Sequence, residues 1–332
     1  MVVIENQRNS FFDIIKCIAA FLVICIHYAP KISIVDAYFD SICRIAVPLF
    51  FMISGYYFDT MVLSNKTKRY IYRIIKLSFW ASLFYFIVFA FKHYFVNDNF
   101  SEYLLRTFNQ RNIINWVIFN SCPLAGHLWY LFALVYAVLF NVIVDRLNLN
   151  RFLPCIASVL LLLYCFFNVG YSGIYIRNWL FLGIPFFSIG RCLFKYTAKI
   201  QSMRRLIWPT MIILIMSFIL LYFEMTILQY RDFYISLIPI IMIIAITAIK
   251  YPLFGNNTYM AYIGKVYSSN IYIYHIFIGT LLLLFINNCN VSIQRFLPIA
   301  IFIVTLLFSV LIRIFRMHLN IFKMKLERAI KY

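Results

Sequence analysis

The sequence predicts an all-α, polytopic membrane protein, and three observations lead to this fold class. The 332 residues are 64% hydrophobic and only 12% charged, whereas a soluble domain is about half apolar and a quarter charged. Ten apolar stretches approach the ~20 residues that a helix needs to cross a bilayer. Lysine and arginine concentrate in alternate loops between these stretches, which is the charge pattern of membrane topology.

The predicted spans occupy most of the chain. Pro154 interrupts the fifth stretch, and Gly183 and Pro185 interrupt the sixth. Such breaks are tolerated inside a membrane protein where neighbouring helices satisfy the backbone, so both stretches remain predicted spans. The ten stretches are approximately 11–29, 42–62, 74–92, 127–144, 152–169, 177–194, 207–224, 233–249, 268–286 and 297–315.

The loop charges also predict the orientation. One set of loops holds 21 lysine and arginine residues and the alternate set holds 7. Because basic loops stay in the cytoplasm, both termini are predicted to be cytoplasmic. We expect one membrane domain over 1–332, with a cytoplasmic N-terminus (1–10), a transmembrane bundle (11–315) and a basic amphipathic tail (316–332) on the inner leaflet. The net charge of +19 is explained by this topology, so the predicted partner is the lipid bilayer and not nucleic acid.

The first span contains ionisable residues, which are costly in a membrane and therefore indicate a functional site. They are Asp13, Lys16 and His27. Eleven residues separate Lys16 from His27, which places them within ~20° on one helix face and about 16 Å apart along it. This face has a cation toward one membrane surface and an imidazole toward the other. The alternative is an ordinary span with a snorkelling lysine and an interfacial histidine.

Polar and aromatic residues on three other spans continue this ladder toward the outer surface. The alternatives are a snorkelling Arg44, interfacial aromatic residues, a solvated loop residue at His127 and a histidine bonded within the core at His275. The eight cysteines form no CxxC pair, so no metal site is predicted. The candidate residues are Arg44 on the second span, His127, Trp129 and Tyr130 on the fourth, and Tyr272 and His275 on the ninth.

Four patches of this sequence resemble the acyltransferase 3 family of integral-membrane acyltransferases. The first is Arg8-x4-Asp13-x2-Lys16 followed by ten residues and His27, and the second is RIAVPLFFMISGYYF from Arg44. The third is HLWYL from His127, and the fourth is YIYH ending at His275. The first two patches together are the most specific part of the resemblance.

The resemblance implies about ten spans and a bacterial cytoplasmic (inner) membrane location. It also implies transfer of an acyl group, usually acetyl from acetyl-CoA, to a hydroxyl of a surface or lipid-linked polysaccharide such as O-antigen, capsule or exopolysaccharide. Acetyl-CoA is then a donor substrate, and no permanently bound cofactor is expected. A transporter or channel that uses the same polar ladder is the main alternative, and an assembly or sensor subunit is a third.

The expected roles follow the predicted depths of the side chains. His27 is the candidate general base, and Arg44 is the candidate to stabilise the oxyanion or position the acceptor. Lys16, with Arg8 and Asp13, is predicted to hold the donor. About 21 Å of helix separates Asp13 from His27, so Asp13 is expected to pair with Lys16 or another cation instead. Direct transfer and an acyl-histidine intermediate both remain open. The predicted acceptor-binding residues are His127, Trp129, Tyr130, Tyr272 and His275, and we expect His27, Arg44 and Trp129 to approach one another.

Overall fold

The computed structural model describes residues 8–29, 33–95, 99–167, 173–204, 207–228, 232–286 and 295–330. These residues are overwhelmingly helical and include no β-strand, which confirms the predicted all-α class. The α-helices are α1 (Ser10–Tyr28), α2 (Ile34–Cys43), α3 (Ala46–Leu63), α4 (Thr67–Phe95), α5 (Phe100–Thr107), α6 (Gln110–Phe119), α7 (Trp129–Arg146), α8 (Leu153–Phe167), α9 (Ile184–Lys195), α10 (Thr197–Ser202), α11 (Ile207–Leu228), α12 (Leu237–Lys250), α13 (Tyr259–Val266), α14 (Ser268–Ile286) and α15 (Leu297–Ile330).

Among the described residues, eight helical segments are long and apolar enough to cross a membrane. The helix α11 contains the least buried of these segments, because only 11% of its most apolar window is buried. An apolar surface of this extent in a single helix fits hydrocarbon and not water. The eight segments are Ser10–Tyr28, Ile34–Leu63, Thr67–Tyr94, Gly126–Arg146, Asn150–Phe167, Trp208–Ile227, Ser268–Phe285 and Leu297–Leu319.

The other two predicted spans contain shorter α-helices. In the stretch 177–194, Asn178 accepts hydrogen bonds from the amides of Leu180 and Phe181, and a π-helical turn over Trp179–Gly183 precedes α9. In the stretch 233–249, α12 has 14 residues and a length of about 21 Å. Each helix is therefore shorter than a regular span, although the flanking turns extend both segments.

The backbone contacts divide the chain into two compact units. One contains Met1–Phe12 and Arg44–Phe254, and the other contains Asp13–Cys43 and Gly255–Tyr332. The candidate site residues are divided between the two units. The sequence-based assignment of one membrane domain over 1–332 stays a prediction, and the tail side chains beyond Leu319 lie outside the described residues.

In the first unit, two glycines bring α3 and α9 close together. A Cβ atom at Gly55 would overlap the carbonyl oxygen of Phe187, and a Cβ atom at Gly190 would overlap the carbonyl oxygen of Met52. The two backbones are thus in direct contact at two points. Small residues at helix interfaces allow this approach inside a membrane, where close packing replaces the hydrophobic effect as the source of association.

Candidate functional site

The first group of predicted site residues lies in the second unit, along α1. This helix is continuous from Ser10 to Tyr28, so the spacing calculated for Lys16 and His27 on one helix face applies. Lys16 Nζ lies 2.7 Å from Asp13 Oδ1, and the Asp13 side chain is almost fully buried. This contact is an i, i+3 ion pair, the first of the two pairings that the sequence leaves open for Asp13. Arg8 precedes the helix and is exposed.

Close packing fixes α1 against α13 and α14 of the same unit. A Cβ atom at Gly264 would overlap the carbonyl oxygen of Asp13, so α13 touches the α1 backbone beside the ion pair. Gly279 provides the space for the Tyr28 ring at the opposite end of α1. The Tyr28 hydroxyl donates a hydrogen bond of 3.0 Å to the carbonyl oxygen of Ile276. These contacts set the position of both ends of α1.

The structure brings two predicted histidines together at the Tyr28 end of α1. The ring centroids of His27 and His275 are 5.4 Å apart. His27 is exposed, whereas His275 is fully buried. His275 Nδ1 lies 2.7 Å from the carbonyl oxygen of Tyr272, and because a carbonyl only accepts, Nδ1 carries the proton in this contact. His275 therefore presents a ring of fixed orientation beside the accessible imidazole of His27.

A second group of predicted residues lies in the first unit, next to the start of α3. Arg44 Nη1 donates to the carbonyl oxygen of Asp232 at 3.1 Å and lies 3.5 Å from its carboxylate. Arg177 Nη1 is 3.9 Å from the same carboxylate, and its guanidinium lies 5.9 Å from the Trp129 ring centre. The Asp232 carboxylate thus lies between Arg44 and Arg177, and Arg177 in turn lies against the Trp129 ring.

The aromatic residues of HLWYL are buried beside this cluster. Tyr130 packs against Phe51 of α3, with ring centroids 4.7 Å apart. His127 meets Tyr85 of α4 edge to face at 5.0 Å. The hydroxyls of Tyr70 and Tyr130 both hydrogen-bond Ser54 in the middle of α3. The acceptor-contacting roles of Arg44, His127, Trp129 and Tyr130 stay predictions, as does their approach to His27.

At the opposite end of α3 lies a buried ionic network that sequence reasoning missed. Arg191 donates to Asp59 Oδ1 from Nε at 2.8 Å and from Nη2 at 2.6 Å. It also donates to Asp145 at 2.9 Å and to Asn141 at 3.2 Å. The Arg191 side chain is only 3% exposed. Burying a charged group this deeply requires partners, and here two helices, α3 and α7, supply them to Arg191 of α9.

A signal for this network is present in the sequence. Asp59 falls within the predicted span 42–62 and Arg191 within 177–194. The rule that selected Asp13 and Lys16, that an ionisable residue inside a span is functional or paired, also applies to both. Asp232 lacked such a signal, because it follows Arg231 in a predicted outer loop.

Together, the fold and these paired ionisable groups define an all-α protein with several membrane-spanning helices and charges inside its spans. A family model described as an acyltransferase domain matches residues 9–314. The chain therefore belongs to the acyltransferase 3 family, and the resemblance of its four sequence patches is confirmed. The class of protein is therefore a multi-pass membrane protein of an acyltransferase family.

The chain is also similar to a curated protein of a different name. An amino-acid racemase of Enterococcus faecalis is 28% identical over 212 residues, which are 56% of this chain and 28% of that protein. The match thus spans less than a third of the relative's length, and the racemase name describes the relative. No solved structure matches this chain.

Proposed function

We propose that this protein transfers an acetyl group from cytoplasmic acetyl-CoA to a hydroxyl of a surface or lipid-linked polysaccharide, and that His27 is the general base. The observation that carries the proposal is the accessible His27 ring, 5.4 Å from the buried His275 ring, on a helix whose other end holds Lys16. Membership in an acyltransferase family supplies the reaction class.

The chemistry requires a base because a sugar hydroxyl is a poor nucleophile near neutral pH. His27 takes the hydroxyl proton while the hydroxyl oxygen bonds to the thioester carbonyl carbon, and the carbon–sulfur bond then breaks. The imidazolium returns its proton to the departing thiolate, which gives the acetyl ester and coenzyme A. Histidine suits both steps because it titrates between about pH 5 and 8. In an acyl-histidine route, the imidazole nitrogen first bonds to the thioester carbonyl carbon as the carbon–sulfur bond breaks. The sugar hydroxyl oxygen then bonds to the same carbon as the carbon–nitrogen bond breaks, and the hydroxyl proton neutralises the thiolate, so the net products are the same.

At the other end of α1, Lys16 is proposed to hold polar oxygens of the donor. Its ammonium is shared with Asp13 at 2.7 Å, so it acts as one half of an oriented ion pair and less as a full positive charge. The separation of about 16 Å between Lys16 and His27 suits an extended donor arm whose thioester lies at the His27 end. Arg8, exposed before α1, is the additional cation proposed for this end.

The test is the acetylation of cell-surface glycan in cells that carry His27→Ala. We expect acetylation, measured by mass spectrometry, to fall about 10²–10⁴-fold, which is the contribution of a positioned base. The matched control is His318→Ala, because His318 is exposed on α15 and has no proposed role. Immunoblots of the membrane fraction establish equal abundance. Full acetylation by His27→Ala at normal abundance rules out the proposed base.

A further inference from the structure

Glu224 is an acidic side chain inside the apolar segment Trp208–Ile227, which is long enough to cross a membrane. An ionisable residue in such a segment is costly unless other groups pair with it. The Glu224 carboxylate accepts three hydrogen bonds from the two residues that precede α12 in the first unit. Oε1 accepts from the backbone amide of Ile235 at 3.2 Å, and Oε2 accepts from the amide of Ser236 at 2.9 Å and from the Ser236 hydroxyl.

These bonds fix the start of α12. The first amides of a helix have no carbonyl of a preceding turn to bond, so each needs another acceptor. The first two amides of α12 bond the carbonyls of Tyr234 and Ile235, at 3.2 and 2.9 Å. In a capping box, a Glu three residues after the N-cap bonds the N-cap amide, but Pro239 stands three residues after the N-cap Ser236. Glu224 of α11 supplies that carboxylate instead, with its charge at the positive end of the α12 dipole.

The segment in front of α12 also holds Arg44. Four residues before Ser236, the carbonyl oxygen of Asp232 accepts from Arg44 Nη1 at 3.1 Å, and the Asp232 carboxylate lies 3.5 Å from the same atom. The next carbonyl along the chain, that of the buried Phe233, accepts from the Tyr164 hydroxyl at 2.9 Å. Because one of the contacts to Arg44 comes from the backbone, a shift of this segment moves the acceptor of the guanidinium directly.

We propose that Glu224 is a positioning residue for Arg44. Its carboxylate fixes the start of α12, and thereby the Asp232 carbonyl and carboxylate that orient the guanidinium. Arg44 is the candidate to stabilise the oxyanion or position the acceptor, so the consequence for acyl transfer rests on the proposed function. A hydrogen-bond donor stabilises a transition state most when it is already aimed at the developing charge, and a displacement of about 1 Å can cost about 10²-fold in rate.

The first measurement follows Arg44 without an activity assay. Phenylglyoxal modifies accessible arginine side chains, and peptide mass spectrometry of the full-length protein in detergent gives the modification rate at each arginine. Arg44 is buried, so its rate reports how often the surrounding structure opens. Glu224→Gln keeps one acceptor oxygen but loses the charge, and we expect it to raise the Arg44 rate about tenfold because hydrogen bonds to a charged group are weakened. Glu224→Ala should raise the rate further.

Arg191 is the control within the same molecule, because it is equally buried but has its partners on α3 and α7. Its rate should not change, and an equal rise at Arg44 and Arg191 means general destabilisation and overturns the proposal. Ser217→Ala is the matched variant, since Ser217 is a buried polar residue of α11 whose hydroxyl bonds a carbonyl of its own helix. It should change the Arg44 rate less than twofold. Ser236→Ala removes one of the three hydrogen bonds without changing a charge, so it should raise the Arg44 rate by a smaller factor and guards against a folding defect in the Glu224 variants.

The second measurement is acetylation of cell-surface glycan at equal membrane abundance, which Glu224→Gln should lower about tenfold, in step with the loss of Arg44 protection. Unchanged protection of Arg44 in Glu224→Gln overturns the proposal. Lost protection with normal acetylation also overturns it for the reaction, and assigns the failure to the role of Arg44. Failure of the proposed base is a separate result, because full acetylation by His27→Ala leaves the Arg44 rates of the Glu224 variants as they are.

Discussion

Lys16 and Asp13 form an ion pair within a helix that is mostly apolar. Asp13 is buried and Lys16 is partly exposed, so the lysine supplies a counter-charge to a carboxylate inside an apolar span. A variant of Lys16 therefore changes two properties at once, the electrostatics of the donor end and the stability of α1. Any loss of activity in Lys16→Ala must be separated from the cost of losing this ion pair.

We predict that Lys16→Met destabilises the protein by about 3 kcal/mol, the lower end for breaking a buried pair, because Lys16 keeps some exposure. The double variant Lys16→Met with Asp13→Asn should recover most of this loss, since it removes both charges. The measurement is the fraction of folded protein that survives heating in detergent. Equal stability of the single and double variants contradicts the pairing.

In the first unit, the contribution of the buried Asp232 carboxylate to stability can be tested in the same way. The exposed ion pair of Glu102 and Arg106 is the control. Asp232→Ala removes the carboxylate beside Arg44, whose side chain is only 5% exposed, and should cost about 3–5 kcal/mol. Glu102→Ala removes the partner of Arg106, and both of those side chains are largely exposed, so the cost should stay below about 1 kcal/mol. The two variants are compared by thermal unfolding in the same detergent. A small, equal effect of both refutes the buried role of Asp232.

Among the helices, the contact of α3 with α9 depends on the absence of side chains. Gly190→Ala places a Cβ atom on the backbone of Met52 and Tyr56, which cannot turn away as a side chain would. We expect a loss of about 3 kcal/mol or more, since overpacking costs about 1–3 kcal/mol even where side chains can adjust. Gly126→Ala is the control, because a Cβ atom added at Gly126 would have nothing within 4 Å. Normal heat stability and abundance of Gly190→Ala contradict the close approach of these helices.

The sequence predicts where these helices lie in the chain better than it predicts which helices and side chains contact one another. Apolar length alone identifies α1, α4, α7 and α15, and the motif spacing identifies His27 and Arg44. The contact between His27 and His275 could not be predicted, because more than 200 residues separate them and periodicity does not report which helices pack together. Asp59 and Arg191 were visible as charges within predicted spans, but only the structure shows that they satisfy each other at 2.6 Å.

For the first unit as a whole, the ion pairs indicate the direction of the α9 segment relative to α3. Arg177 lies with Arg44 and Asp232 at the start of α3, whereas Arg191 lies with Asp59 near its end. The segment that contains α9 therefore runs parallel to α3, over a helix of about 27 Å. Residues assigned to the outer side by loop charges cluster at one end, and residues assigned to the inner side cluster at the other.

The segment around α12 also extends from one end of the first unit to the other. It starts at Asp232, beside Arg44, and its last turn accepts hydrogen bonds from Asn9 at the carbonyl of Ala248 and from Gln201 at the carbonyl of Ile249. Asn9 and Gln201 both belong to segments assigned to the cytoplasm. Both short helices thus connect the two ends of the unit, which supports ten crossings although eight helices have the regular length.

A reporter at Lys199 distinguishes ten crossings from eight. With ten, the loop that contains Lys199 is cytoplasmic, so alkaline phosphatase fused there, which folds only outside the cytoplasm, should be inactive. If α9 and α12 did not cross, this loop would be external, and the lysine and arginine bias would fall from 21 against 7 to 17 against 11. The controls are fusions at Glu102, external in both arrangements, and at Lys68, internal in both. An active fusion at Lys199 would remove α9 as a crossing and place Arg191 on the side assigned to Arg44, against the separation of their ion pairs at the two ends of α3.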